Sequence, residues 1–192
     1  MKRNFRAVFA ALIILNATVV AACGGDSGAQ PSEPAVEGNP TDRAFVAAMI
    51  PHHRSAVDMA AVASQEADSD FVKDLAADIT HSQNAEIEDM ERIDAQLADA
   101  GIEKGDLGMS HHDMGMGAEM SADNLRGAKP FDDEFIAMMV PHHEGAIEMA
   151  RMELEQGSNP KLKQLAEAII EGQEREIQAM RRESKPGAAP HH

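Results

Sequence analysis

Two stretches of the sequence place a pair of histidines directly after a proline and between methionines. They read MIPHHRSAVDMA from residue 49 and MVPHHEGAIEMA from residue 139. Imidazole nitrogens and thioether sulfurs together favour copper, Cu(I) especially, over harder metal ions. The stretches therefore predict a metal site, and its candidate ligands are Met49, His52, His53, Met139, His142 and His143.

The two stretches belong to an internal repeat. Residues 45–90 align with residues 135–180 at a constant offset of 90 without a gap, and 17 of the 46 aligned pairs are identical. Capping residues, prolines and glycines predict two helices in each copy. The predicted starts are Thr41, Asp68 or Ser69, Pro130 and the SNP at 158–160, and the predicted ends are near 67, Gly101, Gly157 and Ser184.

This pattern predicts an all-α fold, a ferritin-like four-helix bundle built from two repeated helical hairpins. No stretch alternates like a half-buried strand. We expect the bundle over residues 41–183, with repeats at 41–100 and 130–183 joined by a long Met- and His-rich crossover at 101–129. A disordered tail is expected over 184–192.

Two glutamates add to the candidate site. At about 100° per residue, His52 and His53 flank the apolar stripe of the first helix, and Glu86 lies within the stripe of the second. A buried carboxylate must be paired, protonated or bound to a cation. Glu86 and its repeat equivalent Glu176 are therefore further candidate metal ligands.

The ligand types favour copper over a di-iron centre. Di-iron bundles carry a Glu-x-x-His pair on each of two helices, and here the pairs read Met49-x-x-His52 and Met139-x-x-His142. Another transition metal is the alternative. The proline before each histidine pair either kinks a helix and aims the imidazoles, or simply begins a helix, with the methionines as core filler.

The crossover carries a second cluster, in the Gly-rich sequence GMSHHDMGMGAEM. Closely spaced thioethers and imidazoles bind copper with little preorganised geometry, although accidental loop composition would also produce such a cluster. Its candidate secondary ligands are Met109, His111, His112, Met114, Met116 and Met120. We expect His81 to lie on the surface, and His191 and His192 to bind metal weakly at most.

The beginning of the chain predicts export. Basic residues precede an apolar run from Ala7 to Val20, as in a signal peptide over 1–22, and VVAAC at Cys23 is similar to a lipoprotein lipobox. We therefore expect a lipid anchor on Cys23 and a flexible tether over 23–40. The protein would lie on the outer face of the cytoplasmic membrane or in the periplasm of a bacterium. A cleaved signal with an incidental thiol is the alternative.

The charge balance restricts the partners. The formal net charge is -16, and it becomes -19 once the leader with its three basic residues is removed. Such a surface repels nucleic acid and attracts cations, although a solvated acidic coat kept for solubility is the commoner explanation. The single cysteine excludes disulfides and thiolate clusters.

With these residues in place, the chain resembles the ferritin-like family known as domain of unknown function 305. The resemblance rests on Phe, Met, PHH, A-I-x-M-A and then Q-x-x-E-I-x-x-M between about 41 and 183, most closely in the second copy. The first copy departs from it, with Arg54 and Ser55 in place of Glu144 and Gly145. The resemblance implies an exported helical bundle, and periplasmic copper binding by the Met and His residues of the repeats.

Residues and resemblance together predict an extracytoplasmic lipoprotein that binds copper for buffering, tolerance or hand-over to a donor or acceptor protein. They lean against catalysis. A ferritin-like di-metal redox enzyme, and a structural or partner-binding helical module without metal, are the alternatives. No nucleophile beside a base, phosphate-binding glycine loop or basic patch supports a hydrolase, nucleotide or nucleic-acid function.

Overall fold

A computed structural model describes residues 36–118 and 120–184. These residues form five helices: α1 (Pro40–Glu66), α2 (Asp70–Asp99), α3 (Ala122–Leu125), α4 (Phe131–Gln156) and α5 (Pro160–Glu183). No strand occurs among them, which confirms the predicted all-α bundle. The predicted signal peptide, Cys23, His191 and His192 lie outside the described residues. Among the described helices, none is both long and apolar enough to cross a membrane.

The helix ends follow the sequence signals, with two corrections. Asn39, rather than Thr41, caps α1, because its side-chain oxygen accepts hydrogen bonds from the N–H groups of Thr41 and Asp42 at 2.9 and 3.1 Å. The cap falls on Asn39 because Pro40, which lacks an N–H, suits the first helical position. Pro130 likewise precedes α4 instead of starting it, since its ψ of 136° is extended.

The last residues of the predicted tether belong to the bundle. The side-chain amide of Asn39 donates to the carbonyl oxygen of Gln156 at 2.8 Å. The side-chain amide of Asn159 donates to the carbonyl oxygen of Glu37 at 2.7 Å. The tether therefore ends before residue 37, because the backbone from there onward is tied to the turn between α4 and α5.

The prolines of the two repeats lie inside helices. Pro51 is in the middle of α1 and Pro141 in the middle of α4, and each helix continues through its proline. The alternative that these prolines begin a helix is therefore wrong. Each proline removes one backbone hydrogen bond, so the carbonyl groups of Ala47 and Ala137 lack their usual intrahelical donor.

Equivalent hydrogen bonds join the two hairpins at opposite ends of the bundle. At one end, the carboxylate of Asp42 accepts from the two backbone N–H groups of residues 158–159 at 2.9 and 2.8 Å. At the other, the carboxylate of Asp132 accepts from those of residues 68–69, both at 2.9 Å. Each aspartate begins one central helix and binds the turn that follows the other. Helices α1 and α4 therefore run antiparallel, and the sequence repeat appears as a pseudo-twofold relation.

The hydrophobic core forms two clusters, one on each side of the histidines. Each cluster combines residues that precede the histidine pair in one repeat with residues that follow it in the other. One contains Phe45, Met49, Met149 and Leu162, and its counterpart contains Met59, Leu75, Phe135 and Met139. The four histidines fall between the clusters along both α1 and α4, so they form a polar layer across the middle of the bundle.

Candidate metal centre

His52 and His142 meet at the centre of the bundle. Their ring centroids lie 3.7 Å apart, the ring planes are tilted by 35°, and both side chains are fully buried. Among the described residues, no group hydrogen-bonds to either ring nitrogen of either histidine. Buried polar atoms are nearly always hydrogen-bonded, and each one left without a partner costs about 1–3 kcal/mol. The stack therefore lowers the stability of the folded protein unless a ligand binds to its free nitrogens.

Burial keeps both stacked imidazoles neutral. Desolvation, followed by the charges of His53 and His143, lowers the pKa of His52 to about 3. The backbone carbonyl groups of His142 and Met114 oppose this shift only in part, since they lie near His52 without hydrogen-bonding geometry. Desolvation also lowers the pKa of His142 well below its usual value. Neutral imidazole is the form whose lone pair binds a metal ion.

His53 and His143 pair with the two candidate glutamates. Nε2 of His53 lies 2.7 Å from Oε2 of Glu86, and Nε2 of His143 lies 2.5 Å from Oε2 of Glu176. Both histidines are fully buried, while each glutamate side chain is 21% exposed. Within the described part of the chain, Nδ1 of both rings has no hydrogen-bond partner. A carboxylate on one nitrogen and a free second nitrogen is the usual arrangement of an oriented metal-binding histidine.

The six histidine and glutamate side chains do not converge on one point. Across residues 36–118 and 120–184, no three His, Cys, Asp or Glu side chains are close enough together to hold a metal ion. The reason is helical geometry, since adjacent residues point about 100° apart. His52 consequently faces α4, whereas His53 faces Glu86 on α2. Each glutamate contacts one imidazole, Glu86 that of His53 and Glu176 that of His143, so the two pairs lie apart from the stack.

Met49 and Met139 are both fully buried, each one turn before a stacked histidine on the same helix. They belong to different core clusters, on opposite sides of the histidine layer. Any metal ion at the stack that takes a thioether ligand therefore has one methionine available from each side.

Two further buried polar side chains are glutamines, which the sequence patterns did not identify as candidate site residues. Gln83 and Gln173 are identical in the two repeats and only 2% and 4% exposed. Their side-chain oxygens have no hydrogen-bond partner in the described residues. They lie one turn before Glu86 and Glu176 on α2 and α5. The available signal was a buried amide at the same position of both copies, since such a group needs a partner.

The methionines and histidines of the crossover divide between two surface cavities. The residues of this cluster that line a cavity of about 550 Å³ beside Pro51 are Met109, His111, Met114 and Met116. His112 and Met120 line the other, of about 750 Å³, beside Pro141. The methionines are half-buried, and three of them pack against the core. The crossover is therefore more ordered than its glycine content predicts, and it contains the unpredicted helix α3. His81 is exposed, as expected.

The crossover lies directly on α4 beside the histidines. A Cβ atom added to Gly145 would be 2.1 Å from the carbonyl oxygen of Met114. A Cβ atom added to Gly115, whose φ is +66°, would be 2.5 Å from the carbonyl oxygen of Pro141 and 2.9 Å from Cα of His142. Glycine at both positions lets the two backbones touch. The first repeat has Ser55 where the second has Gly145, and the Ser55 hydroxyl donates to the carbonyl oxygen of Met120 at 3.5 Å.

Substituting Gly145 with alanine should destabilise the metal-free protein by about 1–3 kcal/mol, the usual cost of overpacking. The added methyl group would collide with backbone atoms of the crossover, which cannot rotate away as a side chain can. Urea unfolding followed by circular dichroism measures the change. Ser55→Ala at the equivalent position of the first repeat is the control and should have little effect. Equal stability of Gly145→Ala and the parent would show that the contact is loose.

The neighbouring departure of the first copy from the family pattern, Arg54 in place of Glu144, reverses the direction of an ion pair. Arg54 on α1 pairs with Glu91 on α2 at 2.7 Å, and at the equivalent positions Glu144 on α4 pairs with Arg181 on α5. All four side chains are about half exposed or more. Exposed ion pairs contribute about 0–1 kcal/mol, so this difference does not distinguish the two halves of the site.

Fold and site together define an all-α repeat protein with doubled histidines buried between its two hairpins. The chain belongs to the family described as Domain of unknown function (DUF305), whose model matches residues 42–183. A DUF305 fragment from Deinococcus radiodurans is 30% identical with a TM-score of 0.63, covering 75% of this chain and 95% of that one.

Copper-bound structures occur among the similar proteins. CopM in the Cu(I)-bound form is 33% identical with a TM-score of 0.60, covering 73% of this chain and 93% of that one. CopM in the Cu(II)-bound form is 32% identical with a TM-score of 0.62, at the same coverage. No curated protein matches the sequence.

Proposed function

We propose that this protein binds copper at the centre of the bundle, with His52 and His142 as ligands from the two hairpins. The observation that carries the proposal is the stack of two neutral, fully buried imidazoles whose nitrogens lack partners. A soft metal ion would coordinate those nitrogens, which have no hydrogen-bond partner among the described residues. The copper-bound forms of CopM support this choice of metal.

Thioethers would complete the coordination at the stack, and His53 and His143 are candidate ligands beside it. Met49 and Met139 are buried one turn away from the stack, and thioether ligands favour Cu(I) over Cu(II). Imidazole accepts either oxidation state, so Cu(II) would depend on the histidines. Nδ1 of His53 and of His143 is also free, and the paired glutamates would hold both rings in a fixed orientation.

The proposed role is buffering or hand-over of copper outside the cytoplasm, by a lipoprotein anchored through Cys23. Its support is the export signal and the lipobox-like VVAAC in the sequence. The net charge of -16 would attract cations toward the surface. A di-metal redox enzyme is less well supported, because Met49 and Met139 stand where a di-iron bundle has carboxylates.

An anaerobic Cu(I) competition titration against a chromophoric chelator tests the proposal. The double variant His52→Ala/His142→Ala should bind Cu(I) more than about 100-fold more weakly, since loss of even an outer-shell partner of a metal site costs about 10–100-fold. His81→Ala removes an exposed imidazole from α2 and should leave the affinity unchanged. Parent-like affinity of the double variant would contradict the proposal and favour a metal-free helical module.

A further inference from the structure

We infer that the crossover carries a separate loading site for a soft monovalent metal ion, from which the ion passes to the buried histidines. The ligands of this loading site are Met109, His111, Met114 and Met116. The inference rests on the proposed function, because the buried stack is the destination of the ion.

The four ligands share one cavity on the side of α1, of about 550 Å³. His111 is exposed and the three methionines are half-buried, so the cavity is accessible while its thioethers stay partly shielded from water. Three thioethers and one imidazole form a donor set that suits Cu(I) or Ag(I) and disfavours hard ions such as Mg²⁺ and Ca²⁺. The cavity is thus chemically distinct from the rest of the acidic surface.

Hydrogen bonds gather these ligands into a compact turn. The N–H of Met116 donates to the carbonyl oxygen of His111 at 2.8 Å, and the N–H of Met114 donates to that of Ser110 at 3.1 Å. The side-chain carboxylate of Asp113 accepts from the hydroxyl of Ser110 at 2.7 Å, which closes the turn. Local backbone bonds therefore bring together ligands that a freely flexible loop would have to collect at an entropic cost.

Met114 connects the loading site to the buried stack. Met114 lines the cavity, while its backbone carbonyl lies beside His52 and against Gly145. The next residue, Gly115, lies on the backbone of His142. One chain segment thus separates the cavity from the stacked imidazoles, and a displacement of that segment would open the route.

Transfer along this route is a ligand exchange. The metal–sulfur bonds and the metal–nitrogen bond to His111 break as metal–nitrogen bonds to the stacked imidazoles form, and the ion keeps its oxidation state. The exchange is favoured because the stack gains partners for nitrogens that otherwise have none.

Variants of the full chain with matched chemistry test the inference. Met109→Leu/His111→Asn/Met116→Leu removes three ligands of the loading site and keeps side-chain size. His81→Asn/Met152→Leu makes the same kinds of change at an exposed histidine of α2 and a half-buried methionine of α4, outside the crossover, and serves as the control. Two properties are measured: the number of Ag(I) ions bound at equilibrium, and the rate at which Cu(I) leaves a chromophoric chelator for the protein.

The triple variant should bind one ion fewer and take up Cu(I) about tenfold more slowly, equivalent to about 1.4 kcal/mol in the barrier. At saturation with Ag(I), its imidazole NMR signals from His52 and His142 should shift as in the parent. The control should match the parent in number and rate. A triple variant with the parent's number of ions and rate would overturn the inference while leaving the buried site intact. Buried imidazole signals that never respond, even in the parent, would overturn the proposed function itself.

A second measurement needs no variant. Methyl NMR of the parent should show Met109, Met114 and Met116 responding to Ag(I) within the mixing time, before the imidazoles of His52 and His142 respond. If the buried imidazoles respond first, the ion reaches them by another route and the loading site is refuted, whether or not the triple variant folds.

Discussion

Replacing both stacked histidines with leucine should make the metal-free protein more stable and abolish its stabilisation by copper. In His52→Leu/His142→Leu, side chains of similar size remove buried nitrogens that lack partners, each of which costs about 1–3 kcal/mol. The parent should gain about 4 kcal/mol when free Cu(I) reaches a thousand times its dissociation constant, and the variant should gain nothing. Anaerobic calorimetry with and without Cu(I) measures both effects.

The same variant should also lose less folding stability than the parent when the pH is lowered. The pKa of His52 is about 3 in the folded protein, below its usual value near 6.5. The unfolded chain therefore binds a proton that the folded chain does not, and stability falls as the pH drops below 6.5, by about 1.4 kcal/mol per pH unit for each such histidine. Urea unfolding at pH 7 and pH 5 should show a large difference for the parent and a smaller one for the leucine variant.

His53→Leu/His143→Leu is the matched comparison. These histidines have carboxylate partners, so their removal leaves Glu86 and Glu176 without the imidazoles that they now contact. We expect this variant to be less stable than the parent without metal, opposite to the variant of the stacked pair. A loss of stability in both variants would mean that the stack is stabilised by contacts within the protein and needs no ligand.

The second large effect concerns a buried carboxyl pair at one end of the bundle. Glu153 on α4 and Asp42 on α1 are both fully buried. In the described residues, no donor group reaches either side-chain oxygen of Glu153, so a proton between the two carboxyl groups must bridge Glu153 to Asp42. Burial, then the hydrogen bond to Asp42 and the charge of Asp42, raise the pKa of Glu153 to about 9, against a smaller opposing effect of Lys163.

Asp42 is the charged member of this pair. Burial raises its pKa, but hydrogen bonds from Glu153 and from the backbone N–H groups of Asn159, Asn39 and Ser158 outweigh burial and lower the pKa below its ordinary value. The position equivalent to Glu153 in the first repeat is Ala63, so the contact between Asp132 and residues 68–69 has no such carboxyl neighbour.

The parent should therefore lose folding stability as the pH rises above 7, and Glu153→Gln should reduce that loss. Between the unfolded pKa near 4.5 and the folded pKa of about 9, folding takes up a proton, so the contribution of Glu153 is complete below pH 4.5 and declines as the pH rises. The slope is about 1.4 kcal/mol per pH unit. Glutamine stays neutral and keeps an N–H donor for Asp42. Urea unfolding between pH 7 and pH 9 should show a shallower slope in the variant than in the parent.

Glu167→Gln, a change at an exposed position of α5, is the control and should keep the parent's slope. The range above pH 7 is chosen because it lies above the ordinary pKa of histidine, and burial lowers the pKa of His52 and of His142 further. Equal slopes for Glu153→Gln and the parent would mean that Glu153 is ionised in the folded protein.

Local signals in the sequence determined the helices, the repeat and the identity of the central residues. Caps and prolines mark helix ends by interactions within a few residues, so Ser69 and Asn159 act where the sequence predicts a start. The constant offset of the repeat is enough to make His52 and His142 equivalent positions. Two pairs of histidines flanking apolar stripes were sufficient to predict a buried polar site.

Tertiary structure decided which of these groups meet. Neighbouring histidines diverge around the helix, so the antiparallel pairing of α1 with α4 stacks His52 on His142 and directs His53 toward Glu86. The same pairing brings Asp42 to Glu153 across 111 positions of the sequence, and places the crossover on Gly145. Such contacts depend on how the helices face one another, which short-range sequence patterns do not specify.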